Sequence, residues 1–95
     1  MVAVPDAAIV KDFSLEQNYP NPFNPVSTIN YTIYSPGRVN LTVYDILGKK
    51  IATLVDEFQS ANTYSYNING ADYSSGLYFY QLTVGSVFET KKMIL

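Results

Sequence analysis

The chain contains no cysteine and no histidine. It can therefore form no disulfide, and it has neither a thiolate nucleophile nor an imidazole for general acid–base catalysis. The usual ligands of zinc, copper and haem iron are missing for the same reason. Two of the few carboxylates, Asp45 and Asp72, fall in predicted loops, where Asp commonly accepts turn hydrogen bonds. We predict a domain that is not an enzyme and that requires no cofactor and no metal ion.

Charge is sparse as well. Six basic and eight acidic residues give a net charge of −2, and the basic residues are scattered apart from the pairs Lys49-Lys50 and Lys91-Lys92. No basic stripe is present that could follow a phosphate backbone, so we do not expect nucleic acid as a partner. No apolar run approaches the roughly 20 residues of a membrane-spanning helix, so we do not expect membrane insertion.

The length of 95 residues fits one domain. Residues 1–12 show little hydrophobic pattern and contain Pro5. The start of the chain also lacks the basic region and long apolar core of a signal peptide. We predict that residues 1–12 are a linker from a larger protein and that residues 13–95 form a single, monomeric domain.

The segment after this linker is unusually rich in proline. Its prolines remove backbone donors, fix φ and push each preceding residue into an extended conformation. It comprises Asn18, Tyr19, Pro20, Asn21, Pro22, Phe23, Asn24 and Pro25. We predict a stiff, extended arm in which Tyr19 and Phe23 plug the sandwich while the prolines cover an edge strand.

Beyond the arm, the sequence alternates with the period of two that is typical of half-buried strands. The alternating stretches are residues 29–33, 39–43 and 64–68. Residues 77–84 are apolar on both faces in their first half, which predicts a central strand, and residues 87–95 form a last strand. Gly48 is expected in the left-handed position of one hairpin loop, and Gly85-Ser86 in a type II′ turn.

Residues 51–58 are ambiguous, because Ile51, Leu54, Val55 and Phe58 have the spacing of a helical stripe. About two turns are too short to nucleate well, and the hairpin loop before them favours a returning strand. We predict a strand here. The chain then has about seven short strands, which is typical of an all-β, immunoglobulin-like antiparallel β-sandwich.

The final residues, Thr90-Lys91-Lys92-Met93-Ile94-Leu95, are first basic and then apolar. One interpretation is an ordinary closing strand with lysines at its exposed positions. Another is a strand edge with basic residues that a receptor binds by strand addition or groove capture. The nine tyrosines keep a carbohydrate-binding module open as an alternative, although most are better explained as core or cross-strand pairs. A structural spacer domain is a further alternative.

Three separated motifs carry a family resemblance. The first is the arm followed by Thr28-Ile29, the second is Val-Tyr-Asp-Ile-Leu-Gly-Lys at residues 43–49, and the third is Ser-Gly-Leu-Tyr-Phe-Tyr-Gln-Leu at residues 75–82, running into residues 90–95. In this order and spacing, the chain resembles the type A C-terminal sorting domain of the type IX secretion system. The resemblance covers about residues 13–95.

The resemblance implies a non-catalytic, immunoglobulin-like domain at the C-terminus of an exported protein of a Gram-negative bacterium. Such a domain follows an N-terminal passenger through the periplasm to the cell surface or the extracellular space. Its implied partners are an outer-membrane secretion translocon and associated shuttle or sortase-like proteins. The implied sorting residues are Lys91, Lys92, Met93, Ile94 and Leu95. The arm, Gly48, Gly76, Tyr78 and Tyr80 have implied structural roles, with Gly76 allowing the tight loop before the central strand.

Overall fold

The computed structural model describes residues 13–22 and 26–95, and within them it contains seven strands. They are β1 (Phe13–Leu15), β2 (Val26–Ile33), β3 (Gly37–Asp45), β4 (Lys50–Gln59), β5 (Asn62–Asn69), β6 (Leu77–Val84) and β7 (Val87–Ile94). A short 3-10 turn, Gly70–Asp72, lies between β5 and β6. The predicted linker over residues 1–12, together with Phe23, Asn24 and Pro25, lies outside the described residues.

The strands form two antiparallel sheets. One has the order β1-β2-β5 and the other has the order β4-β3-β6-β7. β6 is an interior strand, as its apolar composition predicts, and β7 lies at the edge of the larger sheet. The predicted all-β fold, an immunoglobulin-like antiparallel sandwich of about seven strands, is confirmed.

The core lies between the two sheets, because successive side chains of a strand point to opposite faces and each sheet buries one of them. In β2 and β6 every second side chain is buried along the whole strand. The buried apolar residues come from both sheets: Phe13, Leu15, Ile29, Tyr31, Ile33, Val39, Leu41, Val43, Ile68, Tyr78, Tyr80, Leu82, Val84 and Met93.

Both predicted hairpin turns are confirmed. Gly48 has a φ of 84°, and its N–H donates to the carbonyl of Asp45 at 2.9 Å. The carboxylate of Asp45 accepts from the backbone N–H groups of Leu47 and Lys49, each at 2.9 Å, which is the predicted turn role of this Asp. Gly85 has a positive φ of 63°, whereas the φ of Ser86 is negative. A type II′ turn requires this combination.

The ambiguous segment is a strand, as predicted, and its helix-like spacing has a physical cause. β4 pairs with β3 through two register shifts, between Leu41 and Thr42 and between Val43 and Tyr44. Each shift is a β-bulge, which inserts an extra residue and changes which side chains face the core. Leu54 and Val55 therefore both pack against the core although they are neighbours, whereas Ile51 and Phe58, the ends of the stripe, are exposed.

One expectation about the arm is wrong. Tyr19 does not plug the sandwich, since its side chain is 79% exposed. Among the arm residues that the structure describes, the buried one is its neighbour Asn18, which is 1% exposed. Backbone hydrogen bonds in both directions join Tyr19 to Thr28 of β2, which places Tyr19 beside that strand. Pro20, Asn21 and Pro22 form a bend, so the predicted extended conformation does not continue beyond Tyr19 in the described residues. Because side chains alternate in extended backbone, an inward Asn18 requires an outward Tyr19.

Candidate functional site

The closing strand β7 forms the outer edge of the four-stranded sheet. Its register sets Met93 opposite Tyr78 and Lys91 opposite Tyr80. Just beyond the strand, Leu95 and Gly76 exchange two backbone hydrogen bonds, of 2.9 and 3.1 Å. Odd-numbered residues of this strand therefore bond to β6, and even-numbered residues turn their backbone groups toward the outer edge.

Gly76 adopts the backbone conformation that sets the chain beside Leu95. Its φ of 148° is a backbone conformation that side-chain-bearing residues rarely adopt. It directly precedes Leu77, the first residue of β6, so the chain enters the central strand while bonded to Leu95. These contacts show how the last residue is held in the sheet.

The arm contacts the outer edge of β7 through two side-chain amides. The Nε2 of Gln17 donates to the carbonyl oxygen of Lys92 at 2.5 Å. The backbone N–H of Ile94 donates to the Oδ1 of Asn21 at 2.9 Å. We call this pair of contacts the amide clasp. The sequence separations of 75 and 73 residues explain why no local pattern predicts it.

Asn18 fixes the arm between the two residues of the clasp. Its side-chain Nδ2 donates to the hydroxyl of Ser27 at 2.9 Å and to the carbonyl of Pro20 at 3.2 Å. The Ser27 hydroxyl in turn donates to the same Pro20 carbonyl at 2.8 Å. Asn18 and Ser27 are each 1% exposed, so this polar group is buried and its members satisfy one another.

Tyr80 of β6 joins the arm to the core. Its hydroxyl donates to the carbonyl of Glu16 at 2.6 Å and accepts from the N–H of Asn18 at 2.8 Å. The ring is fully buried, and burial raises the pKa of Tyr80 to about 12, partly offset by the hydrogen bond from Asn18. The phenol therefore stays protonated over the physiological range and holds two backbone groups of the arm.

The side chains of β7 divide between the two faces of the sheet. Met93 is fully buried, and Lys91 lies half-buried on the same side, where its Nζ is 3.4 Å from a carboxylate oxygen of Glu89. Lys92 is exposed, as predicted for a lysine of the closing strand, and Ile94 is also exposed. An inward-facing ion pair on an edge strand discourages indiscriminate pairing with other strands.

The structure brings most of the predicted residues into one region. Residues 91–95, Gly76, Tyr78, Tyr80 and the described part of the arm are connected by the register and hydrogen bonds given above. Gly48 lies apart, in the β3–β4 hairpin, with β6 between β3 and the closing strand. Sequence reasoning missed Gln17 and Ser27, which carry no signal of their own next to the proline-rich motif.

Within residues 13–22 and 26–95, the surface has no pocket, and no group of three or more acidic, histidine or cysteine side chains could hold a metal ion. No helix in the described part of the chain has the length and apolar character needed to cross a membrane.

Comparison with known proteins gives one family match. A family model described as "Secretion system C-terminal sorting domain" matches residues 17–95. No curated protein and no solved structure matches the chain. The matched range begins at the first residue of the amide clasp and includes the whole closing strand.

Proposed function

The chain belongs to the family of secretion system C-terminal sorting domains, and we propose that residues 91–95 are the part that the secretion machinery recognises. A domain of this family is the C-terminal sorting signal for type IX secretion, which exports a passenger to the cell surface or the extracellular space. The family is non-catalytic. In our proposal residues 13–95 form the sorting domain, and residues 1–12 link it to the passenger.

The proposed partner is an outer-membrane translocon that meets the domain from the periplasm. Shuttle or sortase-like proteins would then act on the exported chain. The proposed mode of recognition is strand addition, in which an extended segment of the partner pairs with the free edge of a sheet.

The position of β7 at a sheet edge is the observation that carries this proposal. Its outward backbone groups include those of Phe88 and Thr90, for which the described residues offer no hydrogen-bond partner. Phe88 is 59% exposed and Lys92 is exposed, so an apolar and a basic side chain flank that edge. Main-chain hydrogen bonds give affinity in such complexes, and alternate side chains give specificity.

Deletion of residues 92–95 tests the proposal in a bacterium that has a type IX system. We expect the passenger to accumulate in the periplasm, because four of the five proposed recognition residues are gone. The deletion also removes Met93 from the core, so it lowers stability as well. The double substitution Lys91→Ser and Lys92→Ser separates the two effects, since the one ion pair that it breaks is partly exposed and contributes about 0–1 kcal/mol.

The chain offers a matched control in Lys49 and Lys50, which lie at the β3–β4 hairpin, away from the closing strand. Changing both to Ser removes the same charge there. We expect reduced secretion only for the pair in β7, with circular dichroism showing that both variants fold. Normal secretion of the deletion variant contradicts the proposal.

A further inference from the structure

The outer edge of the closing strand is unequally covered. Four residues of β7 turn their backbone groups outward: Phe88, Thr90, Lys92 and Ile94. The amide clasp occupies the carbonyl of Lys92 and the N–H of Ile94. The half of the edge formed by Lys92 and Ile94 is thus bonded to the arm. The half formed by Phe88 and Thr90, nearer the Gly85 turn, has no such bond within the described residues.

The arm is fixed and does not act as a removable cover. Asn18 lies between Gln17 and Asn21 and is buried, with its backbone N–H bonded to Tyr80 and its side chain bonded to Ser27. Lifting the arm would leave these buried groups without partners, and each unsatisfied group is costly. A partner therefore gains little by displacing the clasp, and meets the strand with the arm in place.

The clasp also sets which side chains the end of the strand presents. With the Lys92 carbonyl and the Ile94 N–H held at one edge and Leu95 held by Gly76 at the other, the last residues are bonded on both sides. Here the exposed side chains of Lys92 and Ile94 are kept side by side with the arm in one fixed arrangement.

We propose that Gln17 and Asn21 are positioning residues for the sorting signal, so that the secretion machinery recognises the closing strand and the arm as one composite surface. The inference rests on the proposed function of residues 91–95. Strand addition is then confined to the part of the edge around Phe88 and Thr90, and the last residues are recognised in the conformation that the clasp imposes.

Asn21 provides the test, because one substitution keeps the hydrogen-bond acceptor and another removes it. Asn21→Asp retains an oxygen that accepts from the Ile94 N–H, and Asn21→Ala does not. We expect amide hydrogen exchange at Ile94 to accelerate about five-fold or more in Asn21→Ala, the change that corresponds to one net hydrogen bond, and to stay near the original rate in Asn21→Asp.

Secretion of the passenger is the second measurement. We expect the exported fraction to fall several-fold in Asn21→Ala, on the order of the loss of one hydrogen bond, and to be restored in Asn21→Asp. Thr63→Val is the matched control, because it removes one exposed cross-strand hydrogen bond, to Thr32, in the other sheet and away from the arm. It should lower stability to a similar degree and leave secretion unchanged.

Three results would overturn the inference. The first is unchanged exchange at Ile94 in Asn21→Ala, which means that the clasp does not form. The second is normal secretion in Asn21→Ala despite faster exchange. The third is an equal loss of secretion in Asn21→Ala, Asn21→Asp and Thr63→Val. Loss of secretion on deletion of residues 92–95 alongside normal secretion of Asn21→Ala refutes only this inference. Normal secretion of both refutes the proposed function as well.

Discussion

Replacing Tyr80 with phenylalanine tests how the arm is attached to the core. The substitution keeps the buried ring and removes only the hydroxyl, which donates to Glu16 and accepts from the N–H of Asn18. No core cavity is created. The change instead leaves two backbone groups of the arm without their partner, and the N–H of Asn18 belongs to a residue that is 1% exposed.

The size of the effect follows from these two bonds. Each contributes about 1 kcal/mol net, and a buried donor left unsatisfied costs about 1–3 kcal/mol, so we expect Tyr80→Phe to lower the free energy of unfolding by roughly 2–4 kcal/mol. For a domain of this size, that corresponds to a fall in Tm of about 10–25 °C. Denaturant unfolding at pH 7 should show a lower midpoint with an unchanged slope.

Alkaline titration tests a second property of the same hydroxyl, its burial. Burial raises the pKa of Tyr80 from 10.0 to about 12 in the folded chain. Because the folded state holds the proton more tightly, this stabilisation is complete below pH 10 and is lost as the pH rises toward 12. The loss is on the order of 3 kcal/mol for one tyrosine. Burial also raises the pKa of Tyr31 and Tyr73, so Tyr80→Phe should reduce the alkaline slope without abolishing it.

Two results would refute this reasoning. One is a Tyr80→Phe variant whose unfolding free energy at pH 7 lies within about 0.5 kcal/mol of the original, the range of surface substitutions. The other is an unchanged dependence of stability on pH between 10 and 12. The first result means that the Tyr80 hydroxyl does not hold the arm, and the second means that burial does not raise its pKa in the folded chain.

Two further substitutions address the closing strand itself. Gly76→Ala should destabilise the domain by about 1–3 kcal/mol, because alanine is strained at a φ of 148°. Backbone strain is the whole effect, since an added Cβ would meet no atom within 4 Å. An unchanged denaturation midpoint would contradict this. Met93→Ala should cost about 2–5 kcal/mol because Met93 is fully buried, whereas Met93→Leu should cost less than about 1.5 kcal/mol. If Met93 acts through the core, Met93→Leu secretes its passenger normally; a secretion defect in this folded variant would show that the side chain contacts the machinery directly.

Local patterns in the sequence predict most of the fold. Alternation in β2 and β3 indicates which side chains are buried, and the glycines of two hairpins indicate where the chain turns. Residues 51–58 were ambiguous because two bulges between β3 and β4 break the alternation, and bulges depend on pairing with a distant strand. The loop before them, with Gly48, decided the assignment correctly.

The arm shows where local patterns are insufficient. Its prolines correctly exclude a helix, but the aromatic content suggested that Tyr19 would be buried, and the buried residue is Asn18. Burial of Asn18 becomes favourable only when its polar groups have partners, and these are Tyr80 for the backbone N–H and Ser27 for the side-chain amide. Tyr80 is 62 residues away in the sequence, so this contact follows from the assembled fold and leaves no spacing to detect.

The central claim is that this domain, through its closing strand, directs export. The most direct measurement attaches residues 1–95 behind a fluorescent passenger with its own signal peptide, in a bacterium with a type IX system. We expect fluorescence at the cell surface or in the medium, and retention in the envelope when residues 92–95 are absent. Retention of an intact, folded fusion that carries the complete chain would contradict the claim.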